Sequence, residues 1–148
     1  MVHGETVTIL LVEDDEIDAE AIERAFKKHK VANPLVLAKD GIEALEYLRG
    51  EGGKSKISRP YMILLDLNMP RMTGFEFLAE LRADEAISDS IVFVLTTSDL
   101  DSDKIEAYGH QVAGYVVKNK VGEAFVDLAT MVNAFWRVVE FPPGHQDP

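Results

Sequence analysis

Ile63-Leu64-Leu65-Asp66-Leu67-Asn68-Met69-Pro70-Arg71-Met72-Thr73-Gly74 is the stretch whose reading decides the fold. Its first three residues belong to an uncharged apolar run from Tyr61 that has the composition of a strand buried on both faces. Asp66 ends the run, and Met69-Pro70 and Gly74 prevent further pairing and re-aim the chain. This leaves a carboxylate at the carboxyl end of a central strand. In open α/β sheets ligands bind outside that end, so the acid stands where chemistry is usually done; a capping acid in a tight turn is the plainer alternative.

Working outward, strands and helices alternate. Residues 7–12 (Val-Thr-Ile-Leu-Leu-Val) read as a first buried strand ended by Glu13-Asp14-Asp15. Ile17, Ala21, Ile22, Ala25 and Phe26 then recur at helical spacing, with acids early and Lys27-Lys28-His29-Lys30 late, as the helix dipole favours. Asn33-Pro34 breaks that helix, Leu35 to Ala38 forms a short second strand, and Asp40 reads as the N-cap of a helix with Ala44, Leu45 and Leu48 inward. Residues 50–60 form a polar loop longer than the usual connection, either mobile or a contact site. A third helix follows Gly74, outlined by Phe75, Leu78, Ala79 and Leu81. Ile91 to Leu95 is a fourth strand ending in Thr96-Thr97-Ser98, and Asp101 or Ser102 is expected to cap a short helix through Ile105 and Tyr108. Gly114 to Val117 is a fifth strand stopping at Lys118, and a last helix is expected from near Val121 to about Glu140, before Pro142-Pro143. Five such units imply a single α/β domain with a parallel sheet and helices on both faces.

Composition narrows the function. The 148 residues suit one domain, residues 1–148, with a core of about 6–140 and a tail of 141–148. There is no Cys, which excludes disulfides and thiolate metal sites. With 26 acidic against 15 basic residues the net charge is −11, which opposes a nucleic acid partner. No apolar run approaches a membrane span and no signal peptide is recognisable, so a cytoplasmic protein without membrane association is expected. The last helix is apolar over a wide arc: Phe125, Leu128, Val132, Phe135 and Val139 make one stripe, with Ala124, Met131, Trp136, Val138 and Phe141 beside it. Either a partner or the chain's own tail is expected to cover the excess.

If the strand order is 2-1-3-4-5, the ends of strands one, three, four and five bring Asp14, Asp15, Asp66, Thr96 and Lys118 to one edge. Crowded carboxylates need a cation, and oxygen ligands with no Cys or His nearby select a hard ion, Mg²⁺. Such an ion keeps open positions for phosphate oxygens. Asp66 then suits a nucleophile that becomes an aspartyl phosphate, with Lys118 and the Thr96 hydroxyl neutralising and hydrogen-bonding the transferring group.

The combination of Val12-Glu13-Asp14-Asp15, Asp40-Gly41-Ile42-Glu43-Ala44-Leu45, Asp66 to Gly74, Leu95-Thr96-Thr97-Ser98 and Gly114-Tyr115-Val116-Val117-Lys118 resembles the receiver domain of two-component response regulators. The resemblance implies a flavodoxin-like doubly wound fold of order 2-1-3-4-5. It implies a signalling protein rather than an enzyme, which accepts phosphoryl on Asp66 from a sensor histidine kinase. It further implies Mg²⁺ held by Asp14, Asp15, Asp66 and the backbone carbonyl of Asn68, phosphoryl contacts from Thr96 and Lys118, and Tyr115 changing rotamer as Thr96 moves. The long loop before strand three, Lys118-Asn119 and the Phe135-Trp136 to Phe141-Pro142 ending are similar to stand-alone regulators paired with bacterial phytochrome kinases. That similarity implies a homodimer through the last helix and its neighbouring elements, no attached output domain and a separate downstream protein. Asn119 follows Lys118 where many receivers carry a proline after a cis bond. Two other readings are a phosphate-independent interaction module of the same fold, and a Mg²⁺-dependent phosphohydrolase, which commonly wants an acid where Asn68 stands.

Overall fold

The computed structural model describes residues 6–118 and 125–143. Five parallel strands, β1 (Thr8–Val12), β2 (Leu35–Ala38), β3 (Tyr61–Leu65), β4 (Ile91–Thr96) and β5 (Gly114–Val117), form one sheet in the order β2-β1-β3-β4-β5. The crossovers are α1 (Glu16–Lys28), α2 (Gly41–Arg49), α3 (Gly74–Ala83) and α4 (Asp101–Gly109), and α5 (Val126–Val138) follows β5. Among the described residues no helix is long and apolar enough to cross a membrane.

Strand alternation splits the core into two layers. Leu10, Val12, Ile63, Leu65, Val92 and Val94 pack with Ala44, Leu45 and Leu48 of α2 and Phe77, Leu78 and Leu81 of α3. Ile9, Leu11, Met62, Leu64, Phe93 and Leu95 face Ala19, Ile22 and Phe26 of α1 and Leu128, Ala129 and Val132 of α5. Both faces of β3 are therefore buried, which is why its sequence shows no polar alternation.

Local chemistry sets the helix ends that border the carboxyl edge. Asp15 caps α1, accepting from the N–H groups of Ile17 and Asp18, and Asp40 caps α2 through the N–H of Glu43. Thr73 and Glu76 close a capping box at the start of α3. Gly74 is obligatory there, since a Cβ would lie 2.6 Å from the Leu67 Cα and 2.7 Å from the Asp66 carbonyl oxygen.

Several expectations are corrected. Neither Asp101 nor Ser102 caps α4: Leu100 is its N-cap residue, and the Ser98 hydroxyl accepts from the Leu100 N–H while donating to Asp103. Ile105 and Tyr108 are 73% and 53% exposed, and only Ala107 of α4 is buried. The helix itself runs through both residues, as the spacing predicts. The last helix ends at Val138 rather than near Glu140, because Val139 turns extended, and Phe125 before it is left-handed. The expected start at Val121 and the Lys118–Asn119 bond lie outside the described residues. The long loop is anchored: Ile57 is buried, and the Arg59 guanidinium reaches Asp89, the Ala86 carbonyl and the Pro142 carbonyl. Of the two covers considered for the apolar last helix, the tail supplies part, as Phe141 packs edge-on against Phe135, itself edge-on to Phe93.

Candidate functional site

Every strand runs in one direction, so the side chains that follow β1, β3, β4 and β5 collect at the carboxyl edge. The Asp66 N–H continues the ladder to the Val12 carbonyl and the Glu13 N–H bonds the Ala38 carbonyl, which locks both acids beside the sheet. Carboxylate oxygens of Glu13, Asp14 and Asp66 all lie within 4.8 Å of one another. Glu13 and Asp66 are buried and Asp14 is exposed, leaving the group open on one side. Three like charges at this spacing repel, and oxygen donors alone suit a hard divalent cation.

Lys118 reaches into this group from the end of β5. Its ammonium donates to Glu13 Oε2 at 2.6 Å and to Asp18 Oδ2 at 2.9 Å, and lies 3.7 Å from Asp66 Oδ2. Thr96 is fully buried and pairs in register with Val117, so Lys118 follows one residue beyond its level on the neighbouring strand. Two residues beyond Thr96, the Ser98 carbonyl accepts a 2.9 Å hydrogen bond from the half-buried Tyr115 hydroxyl. The Asn68 N–H lies 3.4 Å from Asp66 Oδ1.

The chain matches, over residues 9–130, the family described as response regulator receiver domain. It belongs to that family.

Response regulator Rcp1 of Synechocystis sp. is 33% identical to this receiver over 128 residues, 86% of this chain and 87% of that protein. The crystal structure of Mn(2+)-bound Rcp1 superposes with a TM-score of 0.80 at 32% identity, covering 92% of this chain and 99% of that one. The phosphorylated cyanobacterial phytochrome response regulator RcpA gives a TM-score of 0.83 at 34% identity, with 93% and 99% coverage. For the bacteriophytochrome response regulator RtBRR the TM-score is 0.75 at 35% identity, with 94% and 86% coverage. The receiver thus spans nearly the whole of each of these relatives.

Of the acids expected around a cation, Asp14 and Asp66 meet, while Asp15 does not join them. Its Oδ1 is occupied by the first N–H groups of α1, and Glu13 takes its place in the cluster. The signal was available: a helical pattern starting at Glu16 makes Asp15 the capping position, which moves the free pair one residue back. Asp18, the second carboxylate on Lys118, carried no comparable signal, because an acid in a first helical turn is ordinarily solvated.

Charge in the receiver's site is shared rather than balanced. Burial pushes the Glu13 carboxyl up to about 7, with the Asp66 charge adding to it and the Lys118 hydrogen bond opposing. Burial also works against the charged form of Lys118, but its bonds to Asp18 and Glu13 and the Asp66 charge outweigh it and hold the ammonium above its ordinary value. Below about pH 7 a proton on Glu13 removes part of the repulsion that a cation would otherwise relieve.

Proposed function

We propose that this receiver accepts a phosphoryl group on Asp66 from the phosphohistidine of a sensor histidine kinase, as one step of a phosphorelay. The single observation that carries the reading is the Lys118 ammonium 3.7 Å from Asp66 Oδ2, inside a cluster of three carboxylates open to solvent. Asp66 Oδ attacks phosphorus; the O–P bond forms as the P–N bond breaks, and the donor imidazole leaves with the electron pair and recovers a proton. Lys118 neutralises charge on the phosphoryl oxygens, and the Thr96 hydroxyl, freed from the 3.5 Å approach of the Ser98 N–H, hydrogen-bonds one of them. Glu13, Asp14 and Asp66, with the Asn68 carbonyl, would hold a Mg²⁺ ion, which would supply positive charge beside the phosphoryl oxygens. The Mn(2+)-bound Rcp1 and phosphorylated RcpA structures support both parts. Movement of Thr96 pulls residues 96–98, and the Tyr115 bond to Ser98 carries it to the surface of α4 and β5, where a downstream protein would read it.

The phytochrome response regulator RcpA and the bacteriophytochrome response regulator RtBRR favour a bacterial phytochrome kinase as donor, and a cytoplasmic location belongs to the same reading. Self-directed phosphotransfer is the only chemistry in this reading. Homodimerisation through α5 belongs to it by resemblance, and Val138, 78% exposed, remains on the face the tail leaves uncovered.

Incubation with acetyl phosphate and Mg²⁺, read by intact mass, is the test. One phosphate per chain is expected, and none in a chelator; labelling that ignores the chelator sinks the reading, while sustained turnover of unrelated phosphate esters indicates a hydrolase. Glu13 adds a pH signature. Because it holds its proton up to about pH 7 and must release it to serve as a ligand, apparent Mg²⁺ affinity is expected to fall by about tenfold per pH unit below that value. Calorimetric titrations at pH 6 and pH 8 giving equal affinities would exclude Glu13 as the titrating ligand.

A further inference from the structure

The turn that follows the acceptor carries a backbone feature that the proposed chemistry leaves unused. Arg71 has φ 64°, in the left-handed region where an L side chain is crowded and glycine is not. Asp40 holds it there: Nε of Arg71 donates to Asp40 Oδ2 at 2.7 Å and Nη2 lies 2.6 Å from the same oxygen. The other oxygen of Asp40 caps α2 through the Glu43 N–H at 2.9 Å, so one buried carboxylate serves two elements. At its base the turn is closed by the Gly74 N–H on the Leu67 carbonyl. Near its tip Met72 packs so closely on Gly41 that a Cβ there would lie 2.8 Å from its sulfur. Residues 67–73, Asn68 among them, are thus pinned across the carboxyl edge to the start of α2.

We propose that Arg71 is a positioning residue, whose ion pair with Asp40 holds the turn so that Asp66 and the Asn68 carbonyl are presented together to the divalent cation and the phosphodonor. The inference rests on the reading of Asp66 as acceptor. A left-handed residue tied by a long-range ion pair to a neighbouring helix cap, beside the reacting carboxylate, is what a preorganised turn requires.

Two substitutions separate positioning from folding. Arg71→Gly accepts the left-handed backbone, and Asp40→Asn keeps a capping oxygen for Glu43. Denaturation midpoints are expected to stay close to wild type, whereas Mg²⁺ affinity by calorimetry and the rate of labelling by acetyl phosphate each fall about tenfold, as for a group that orients metal ligands. The double variant is expected to lose no more than either single one, and Arg71→Lys to recover part of the loss. Wild-type Mg²⁺ affinity and labelling rate in Arg71→Gly, or losses that multiply in the double variant, would overturn the proposal. If wild type itself takes no phosphate the acceptor reading fails instead, and the Mg²⁺ titrations still decide the tether.

Discussion

Asp66→Asn is expected to take up no phosphate under conditions that label wild type fully, and to melt higher than wild type in a chelator. Asparagine keeps the shape of the side chain and an acceptor for the Asn68 N–H, but its oxygen is not a nucleophile toward phosphorus. The stability gain follows from the charges around it. Asp66 is 6% exposed, with two carboxylates, Glu13 and Asp14, within 4.8 Å and one ammonium at 3.7 Å, so above about pH 7, where Glu13 is ionised, repulsion exceeds attraction while no cation is bound. Removing one charge is expected to stabilise the domain by about 1 kcal/mol, which is about 2–4 °C for a chain of this size. Saturating Mg²⁺ reverses the order, because only wild type retains the full ligand set. Labelling of the variant at the wild-type level would place the acceptor elsewhere, and identical melting in chelator would mean the carboxylates do not repel as their spacing requires.

Lys118→Met is expected to slow phosphorylation by about 100-fold or more, the usual effect of deleting a group aimed at developing charge. Methionine preserves the stem and removes the cation from an environment where the lysine side chain is 8% exposed and that of Glu13 is 1% exposed. Breaking a buried pair from one side costs about 3–5 kcal/mol when the remaining charge has no relief. Glu13 has relief, because it can bind a proton. Its pKa is raised in the folded state from 4.5 to about 7, so its contribution favours the fold below 4.5 and is lost as pH rises through 7. Without the opposing lysine the raised value moves further upward, so the variant's deficit is expected to be small at pH 5 and large at pH 8. Urea midpoints at the two pH values measure this directly; a deficit independent of pH would show that Glu13 is not the group left unpaired. A phosphorylation rate equal to wild type would remove Lys118 from the chemistry.

Much of this was readable from short windows of sequence. The buried run from Tyr61 to Leu65 ended by Asp66, the Pro70 and Gly74 breakers, and the cap at Asp40 each declare themselves within about ten residues, because periodicity and backbone restriction are local properties. Strict alternation of strand and helix then requires a parallel sheet, and a parallel sheet brings the strand ends to one edge. The pattern of the sequence alone therefore directs Asp14, Asp15, Asp66, Thr96 and Lys118 to that edge.

Which groups touch there was not readable. Glu13 and Lys118 are 105 residues apart, Asp18 and Lys118 100, and Asp40 and Arg71 31. Arg82 shows the same limit, since its guanidinium holds the carbonyls of Ser88, Ser90, His110 and Gln111 and joins two loops that no local pattern connects. The sequence by itself determined the order of elements, the edge at which the carboxylates gather and the acid that ends β3, since these follow from hydrophobic pattern and turn chemistry. Only the tertiary structure decided that Asp15 serves its helix while Glu13 serves the cluster, that Asp18 shares the lysine, and that Arg71 is bound to Asp40. A polar side chain has many partners open to it in an extended chain, and packing selects among them.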